Sequence, residues 1–428
     1  MPKPSKPASK NIPASTSKAT QVVHKGHDPA QHQGMANPPV YHTSTVMRET
    51  LADYRAGRGK YDYGRIGTPT SEAVEEGVAD LYGYDQCIAT PSGLSAVAVA
   101  ISSMAAAGGS VLLPDSMYGS GRRFADYILP SMGVVPRFYD PLITGEEMSQ
   151  LMSRLISRRG AEGDADTPPP RLMYLESPGS LSFEMQDTQA LVTVAHKAGL
   201  PVLFDNTWGT AFHFDAKAAE IDVVIEAGTK YISGHSDLNM GFVVANGEIA
   251  SRVRQYARYT GVCAGADTYY LTLRGMRTMA VRLRQSETTG LVLAKWLEAQ
   301  PEVVAMLHPA LPSHPQHRLW QRDFSGACGL FGFVIDGAVA QEAVDAAVDG
   351  LRLFGIGASW GGHESLISQA DPKRTVRPAV AAGVGRGDGA GKGKGKAGYL
   401  MRIYAGLEDA EDLLADLAAG FARMRGHK

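Results

Sequence analysis

Residues 202–236 read VLFDNTWGTAFHFDAKAAEIDVVIEAGTKYISGHS. Two short apolar runs stand in this stretch, Val202–Phe204 and Val223–Ile225. The first stops on Asp205, and the second is followed closely by Lys230. Short, continuous apolar runs rich in Val, Ile and Phe are the pattern of strands buried on both faces of a sheet. Working outward, Cys87–Ala89, Val111–Leu113 and Leu172–Leu175 repeat the pattern, with helical stretches such as Asp187–Ala198 between them. Strands alternating with helices predict an α/β fold with a mostly parallel sheet.

Other segments extend this plan. The string Ser71–Tyr82 has helical spacing, with Ser71 as the expected cap and acidic residues early. Pro91-Ser92-Gly93 opens an Ala-rich helix. A long amphipathic helix is expected from near Thr278 through Lys295 and Trp296, leading to a second region with its own strand, Leu330–Val334. Asn37–Thr45 (NPPVYHTST) reads as an extended arm, because tandem prolines forbid helix. The opening MPKPSKPASKNIPASTSKATQVVHKGH carries lysines but no apolar centre, which predicts a disordered tail and a cytoplasmic protein. The expected domains are 1–70 (tail and arm), 71–290 (large domain) and 291–428 (smaller C-terminal domain). A glycine- and lysine-rich insertion at about 379–398 reads as a flexible surface segment.

Composition excludes several classes. Lysine plus arginine is 42 against 44 acidic residues in 428, a net charge of −2, so nothing pulls the chain generally toward nucleic acid or anionic membrane. Hydrophobic residues at 44% and charged at 20% suit a globular protein with a large core. The uncharged stretch Ile88–Pro114 holds Pro91 and many small residues, which suits a buried helix better than a bilayer span. Three scattered cysteines, Cys87, Cys263 and Cys328, offer neither a disulfide framework nor a thiolate metal cage.

The chemistry-bearing residues converge. Asp205 ends a strand, and ligands of open α/β sheets sit beyond such ends. Lys230 follows another strand among small residues, where desolvation would lower its pKa and make it an amine nucleophile toward aldehydes. Gly93 and Leu94 begin a helix whose free amides can hold a phosphate. A lysine for an aldehyde, a carboxylate for a ring nitrogen and amides for a phosphate together describe a pyridoxal phosphate site.

Asp222–Ser236 resembles, position by position, the lysine signature of the pyridoxal phosphate enzymes of cysteine and methionine metabolism, and the likeness runs from about Asn37 to Met424. Within that family the chain looks most like the bacterial cystathionine β-lyases, on LESPGS (175–180), DNTW (205–208), SWGGHES (359–365) and GLED (406–409). The resemblance implies the aspartate aminotransferase type I fold. It makes Lys230 the Schiff-base lysine and proton shuttle, Asp205 the partner of the pyridinium nitrogen, and Tyr118 the ring that stacks on the cofactor. Phosphate contacts would come from the Gly93 and Leu94 amides and the Thr229 hydroxyl. Tyr63 and Arg65 would reach a neighbouring subunit's site, implying shared sites in a homotetramer built as a dimer of dimers. Arg402, in an apolar strand, would clamp the substrate carboxylate beside Ser359 and Trp360; a structural ion pair is the alternative fate for a buried arginine.

The implied activity is β-elimination of an amino-acid thioether, L-cystathionine, to homocysteine, pyruvate and ammonia, with no metal. A γ-acting relative or a non-catalytic binding protein are the alternatives. Two positions depart from the family pattern: Ala227 replaces a serine common before the lysine, and Ala358 replaces a tyrosine before the Ser-Trp pair.

Overall fold

The computed structural model describes residues 16–26, 28–157, 168–376 and 398–427. Its strands are β1 (Gln86–Thr90), β2 (Gly109–Pro114), β3 (Val134–Tyr139), β4 (Pro170–Glu176), β5 (Val202–Asp205), β6 (Val223–Glu226), β7 (Gly241–Ala245), β8 (Val303–Leu307), β9 (Leu330–Ile335), β10 (Gly355–Ile356), β11 (Leu366–Gln369) and β12 (Tyr399–Tyr404). The first seven belong to a mostly parallel sheet and the last five to a smaller one. The chain forms two compact units, 1–103 with 225–280 and 104–224 with 281–428.

In the first unit, the helix Pro69–Tyr82 starts earlier than expected. Its cap is Thr68, not Ser71. Thr68 accepts the Ser71 amide at 3.2 Å, and the Ser71 hydroxyl accepts the Thr68 amide at 2.9 Å. This reciprocal box satisfies two amides, and Pro69 at the first helical position has none to waste. Gly83, at φ +72°, ends the helix in the left-handed conformation that glycine adopts without strain. Strands β1 and β7 pair antiparallel from Gln86↔Ala245 to Thr90↔Gly241.

The disordered tail expected through residue 27 is corrected by a helix at Lys18–His24. Val22 is 1% exposed, so one apolar side chain in a polar run anchors it. Gly26 follows, at φ +76°, where a Cβ would strike the Ala73 carbonyl. Residues 1–15 lie outside the described residues.

In the second unit, β3-β2-β4-β5 run parallel, with Gly109↔Val134 through Pro114↔Tyr139 and Met173↔Val202 through Glu176↔Asp205 in register. The helix Thr188–Lys197 is capped by Asp187, whose carboxylate accepts the Ala190 amide. The smaller sheet has the order β10-β11-β12-β9-β8. One of its faces is buried with Leu293, Leu297, Phe331, Phe333, Met401, Leu413 and Leu417. The long helix spans Met279–Glu298, so the domain boundary expected at 290–291 falls inside it. The glycine-rich insertion lies outside the described residues except for Gly398. No helix among the described residues is long and apolar enough to cross a membrane.

Candidate active site

The residues singled out from the sequence fall into two groups, one in each unit. In the first, the turn after β6 carries Ala227-Gly228-Thr229-Lys230. The Lys230 amide bonds to the Ala227 carbonyl at 2.9 Å, and its own carbonyl accepts the Gly234 amide at 2.8 Å. Half-buried Lys230 is thus fixed by its backbone. Against this turn lies the start of the helix Gly93–Met104. A Cβ at Gly93 would stand 2.6 Å from the Ala227 Cβ, and one at Gly241 would strike the Ser92 carbonyl. Glycine is required for that approach. The Ser92 hydroxyl and carbonyl take the Ser95 and Ala96 amides, leaving the Gly93 and Leu94 amides outside this cap at the positive end of the helix.

Thr229 does not stand as expected. Its hydroxyl donates to the Met240 carbonyl and accepts the Met240 amide, both at 3.0 Å. Its one proton is spent on the backbone, so the hydroxyl ties the lysine turn to the start of β7 instead of projecting toward an anion. Tyr63 and Arg65 are both exposed. Arg65 donates to the Arg258 carbonyl at 2.7 Å, and Tyr63 bridges to Thr45 of the arm.

In the second unit, β4 and β5 end side by side on Glu176 and Asp205. One Asp205 oxygen accepts the Thr207 amide at 3.0 Å and its hydroxyl at 2.6 Å; the other accepts the Tyr174 hydroxyl at 3.1 Å. Burial pushes the Asp205 carboxyl up in pKa, and these three donors pull it back. The Tyr174 phenol is driven well up, by burial first and then by the charges of Asp205 and Glu176. Tyr118 caps the helix Gly119–Tyr127 with its ring 42% exposed, and its amide donates to Glu176 at 2.6 Å. Sequence reasoning assigned roles to neither Tyr174 nor Glu176.

Arg402 sits in the middle of β12, between the register partners Ser368 and Gly332, neither of them charged. Its guanidinium donates to the Gly357 carbonyl at 2.9 Å. Among the described residues it forms no ion pair, so the alternative of a structural salt bridge is not met. Burial alone lowers its pKa. Ser359 and Trp360 follow Gly357 closely in the chain, both half-buried. Trp208 is buried elsewhere, its indole donating to the Leu330 carbonyl at 2.9 Å.

Taken each by itself, the groups suit parts of a phosphorylated pyridine aldehyde: in the first unit, glycine-made room and helix amides stand beside a lysine, and in the second a hydrogen-bonded carboxylate ends a strand. Among the described residues no cluster of three or more His, Cys, Asp or Glu could hold a metal. The sequence profile of a family described as "Cys/Met metabolism PLP-dependent enzyme" matches residues 19–422. The chain is 40% identical to a putative cystathionine β-lyase of Rhizobium johnstonii, over 94% of this chain and 95% of that one. It is 36% identical to an L-alanine/L-glutamate racemase of Wolbachia pipientis wMel (94% and 96%) and 35% identical to a cystathionine β-lyase of Salmonella typhimurium (95% and 98%). A crystal structure of cystathionine γ-synthase from Xanthomonas oryzae pv. oryzae, in complex with cystathionine, superposes with a TM-score of 0.82 at 27% identity, covering 97% of this chain and 100% of that one.

Proposed function

The chain belongs to the Cys/Met-metabolism enzymes that depend on pyridoxal phosphate, and from that premise we propose that it is a carbon–sulfur lyase splitting L-cystathionine by β-elimination. The observation that carries the substrate class is Arg402. A guanidinium in a strand, hydrogen-bonded to one carbonyl and, among the described residues, to no carboxylate, is a receptor for a carboxylate that arrives with the substrate. The cystathionine β-lyases among the relatives, and the Ser-Trp pair at 359–360, favour cleavage at Cβ.

Pyridoxal phosphate supplies an aldehyde for the amino group and an electron sink for charge developing at Cα. The residues do the rest. Arg402 holds the α-carboxylate and so fixes which Cα bond is aligned for cleavage. The Lys230 amine removes the Cα proton and is placed to return it. Asp205, oriented by its three donors, holds the ring nitrogen's proton. The Gly93 and Leu94 amides hold the phosphate. Ser359 and Trp360 line the carboxylate end, and the exposed Tyr63 and Arg65 serve a neighbouring subunit in a homotetramer with shared sites. The Cβ–S bond then breaks, homocysteine leaving as a thiolate that takes up the proton Lys230 removed, and water converts the remaining three carbons to pyruvate and ammonia.

The test is a substrate panel with product analysis. Cystathionine should yield pyruvate and homocysteine in equal amounts. Formation of 2-oxobutyrate and cysteine would overturn β-cleavage in favour of a γ-acting enzyme. The racemase relative supports a second reading, which interconversion of L- and D-alanine or glutamate faster than keto-acid release would establish.

A further inference from the structure

Glu176 is a buried carboxylate, 9% exposed, that the proposed chemistry does not use. Its position is an expensive one. It ends β4 directly across from Asp205 at the end of β5, and burial together with the Asp205 charge holds its pKa well above the usual range. A carboxyl group set beside another one inside a protein needs a compensating contact. The contact found is to the backbone of Tyr118, whose amide it accepts at 2.6 Å.

The turn carrying Tyr118 is pinned along its length. Asp115 is fully buried and accepts from Arg122 at 2.7 Å and from the amides of Thr375 and Val376. The Ser116 carbonyl accepts the Ser180 amide at 2.8 Å, and the Met117 amide returns to the Pro114 carbonyl at 3.0 Å. Each of these bonds holds backbone upstream of the tyrosine. Tyr118 itself is held on both sides, its carbonyl accepting the Arg122 amide at 2.8 Å as the helix Gly119–Tyr127 begins and its amide held by the Glu176 carboxyl. Glu176 is in turn held by its own amide, which donates to Gln186 at 2.9 Å, while Gln186 donates to Tyr139 at 3.0 Å. The side chain of Tyr118 leaves a backbone fixed at both its carbonyl and its amide, and Glu176 is the side chain that fixes the amide.

We propose that Glu176 is a positioning residue that acts through the Tyr118 amide, aiming the Tyr118 ring at the cofactor. This rests on the reading of Tyr118 as the ring that stacks on pyridoxal phosphate, and it adds the group that orients it. Glutamine keeps an acceptor of the same reach and loses the charge. Aspartate keeps the carboxylate but is one methylene too short to reach the amide.

The experiment compares E176Q, E176D and Y118A in the holoenzyme. It reads pyridoxal phosphate affinity, the visible circular dichroism of the bound cofactor and the Tyr118 amide signal in protein labelled with nitrogen-15 tyrosine. E176Q should bind pyridoxal phosphate within about threefold of the parent with its dichroism kept. E176D should lose tenfold or more, move the dichroic band and shift the Tyr118 amide. In the Y118A background the same E176D change should cost less than twofold. Equal losses from E176D with and without Tyr118, or an E176Q variant as impaired as E176D, would overturn the proposal. A parent that binds cofactor while Y118A leaves affinity and dichroism unchanged would overturn the stacking role instead, with the amide shift still reporting whether Glu176 holds the turn.

Discussion

Two half-buried arginines in the same unit have opposite surroundings. Arg374, its side chain 7% exposed, is held by several protein groups: its two terminal nitrogens donate to the Asp115 carbonyl at 2.7 Å, the Ser180 carbonyl at 3.3 Å and the Ser182 hydroxyl, with Glu184 3.8 Å away, while its Nε finds no partner among the described residues. Arg402 donates to one carbonyl and meets no carboxylate among the described residues. Desolvation lowers the pKa of both, but acidic neighbours oppose it only at Arg374. A buried charge that the fold has satisfied is holding the fold. One left without a counterion is held ready for a ligand. Asp205 stands between these limits: three donors of the protein set its orientation, and under the proposed function its charge serves the cofactor.

The largest effect should come from the residue whose loss removes chemistry and little packing. Lys230→Ala should lower turnover by at least about 10²–10⁴-fold, the range of a positioned proton-transfer group, while circular dichroism and melting temperature stay near those of the parent. Next comes the arginine contrast itself. Arg402→Ala should lower kcat/KM by about 10²–10³-fold, chiefly through KM, as expected for a lost charge-assisted pair, with little change in melting temperature. Arg374→Ala should do the reverse. Leaving Glu184 without its cation costs about 3–5 kcal/mol, so melting falls by on the order of 10 °C while KM of the folded fraction holds. If Arg402→Ala melted the protein and Arg374→Ala raised KM, the distinction would be broken.

Smaller effects sharpen the middle case. Tyr174→Phe removes one donor from Asp205 and should raise the pKa of that carboxyl, read by carbon-13 NMR of labelled aspartate in the cofactor-free protein. One hydrogen bond to a charged group, about 1.5–3 kcal/mol, should cost kcat about ten- to a hundredfold. The smallest effect is one of stability alone. Burial holds His308 at about 3 and His314 at about 4, below the ordinary 6.5. The unfolded chain therefore binds protons that the folded one refuses, and stability present above pH 6.5 is lost as pH falls toward 4. His308→Gln should remove about 1–2 kcal/mol of that loss at pH 5, measured as the urea midpoint at pH 7 against pH 5.

Much of this was legible in the sequence, and the omissions have physical causes. Asp205 and Lys230 could be read because each follows a short, fully apolar run, and a strand buried on both faces leaves little else to read. β3 was passed over because Pro136 breaks its apolar run, and β8 because it is partly exposed. The helix begins two residues before the Ser71 start read from the sequence, because Pro69, favoured at a first helical position, follows the Thr68 cap. Tyr174 reads as one more core aromatic until its hydroxyl is seen on Asp205. Glu176 stood inside a recognised string, but its use depends on where the Tyr118 amide lies. The solitude of Arg402 is a property of three-dimensional neighbours and has no signature in one dimension.

The assignment of the reactive amine is tested most directly by borohydride reduction of the pyridoxal phosphate-loaded protein, followed by peptide mapping. The account predicts one stable pyridoxyl adduct, on Lys230, and loss of visible absorbance in step with its formation. An adduct on any other lysine, or none after reconstitution with excess cofactor, would contradict it.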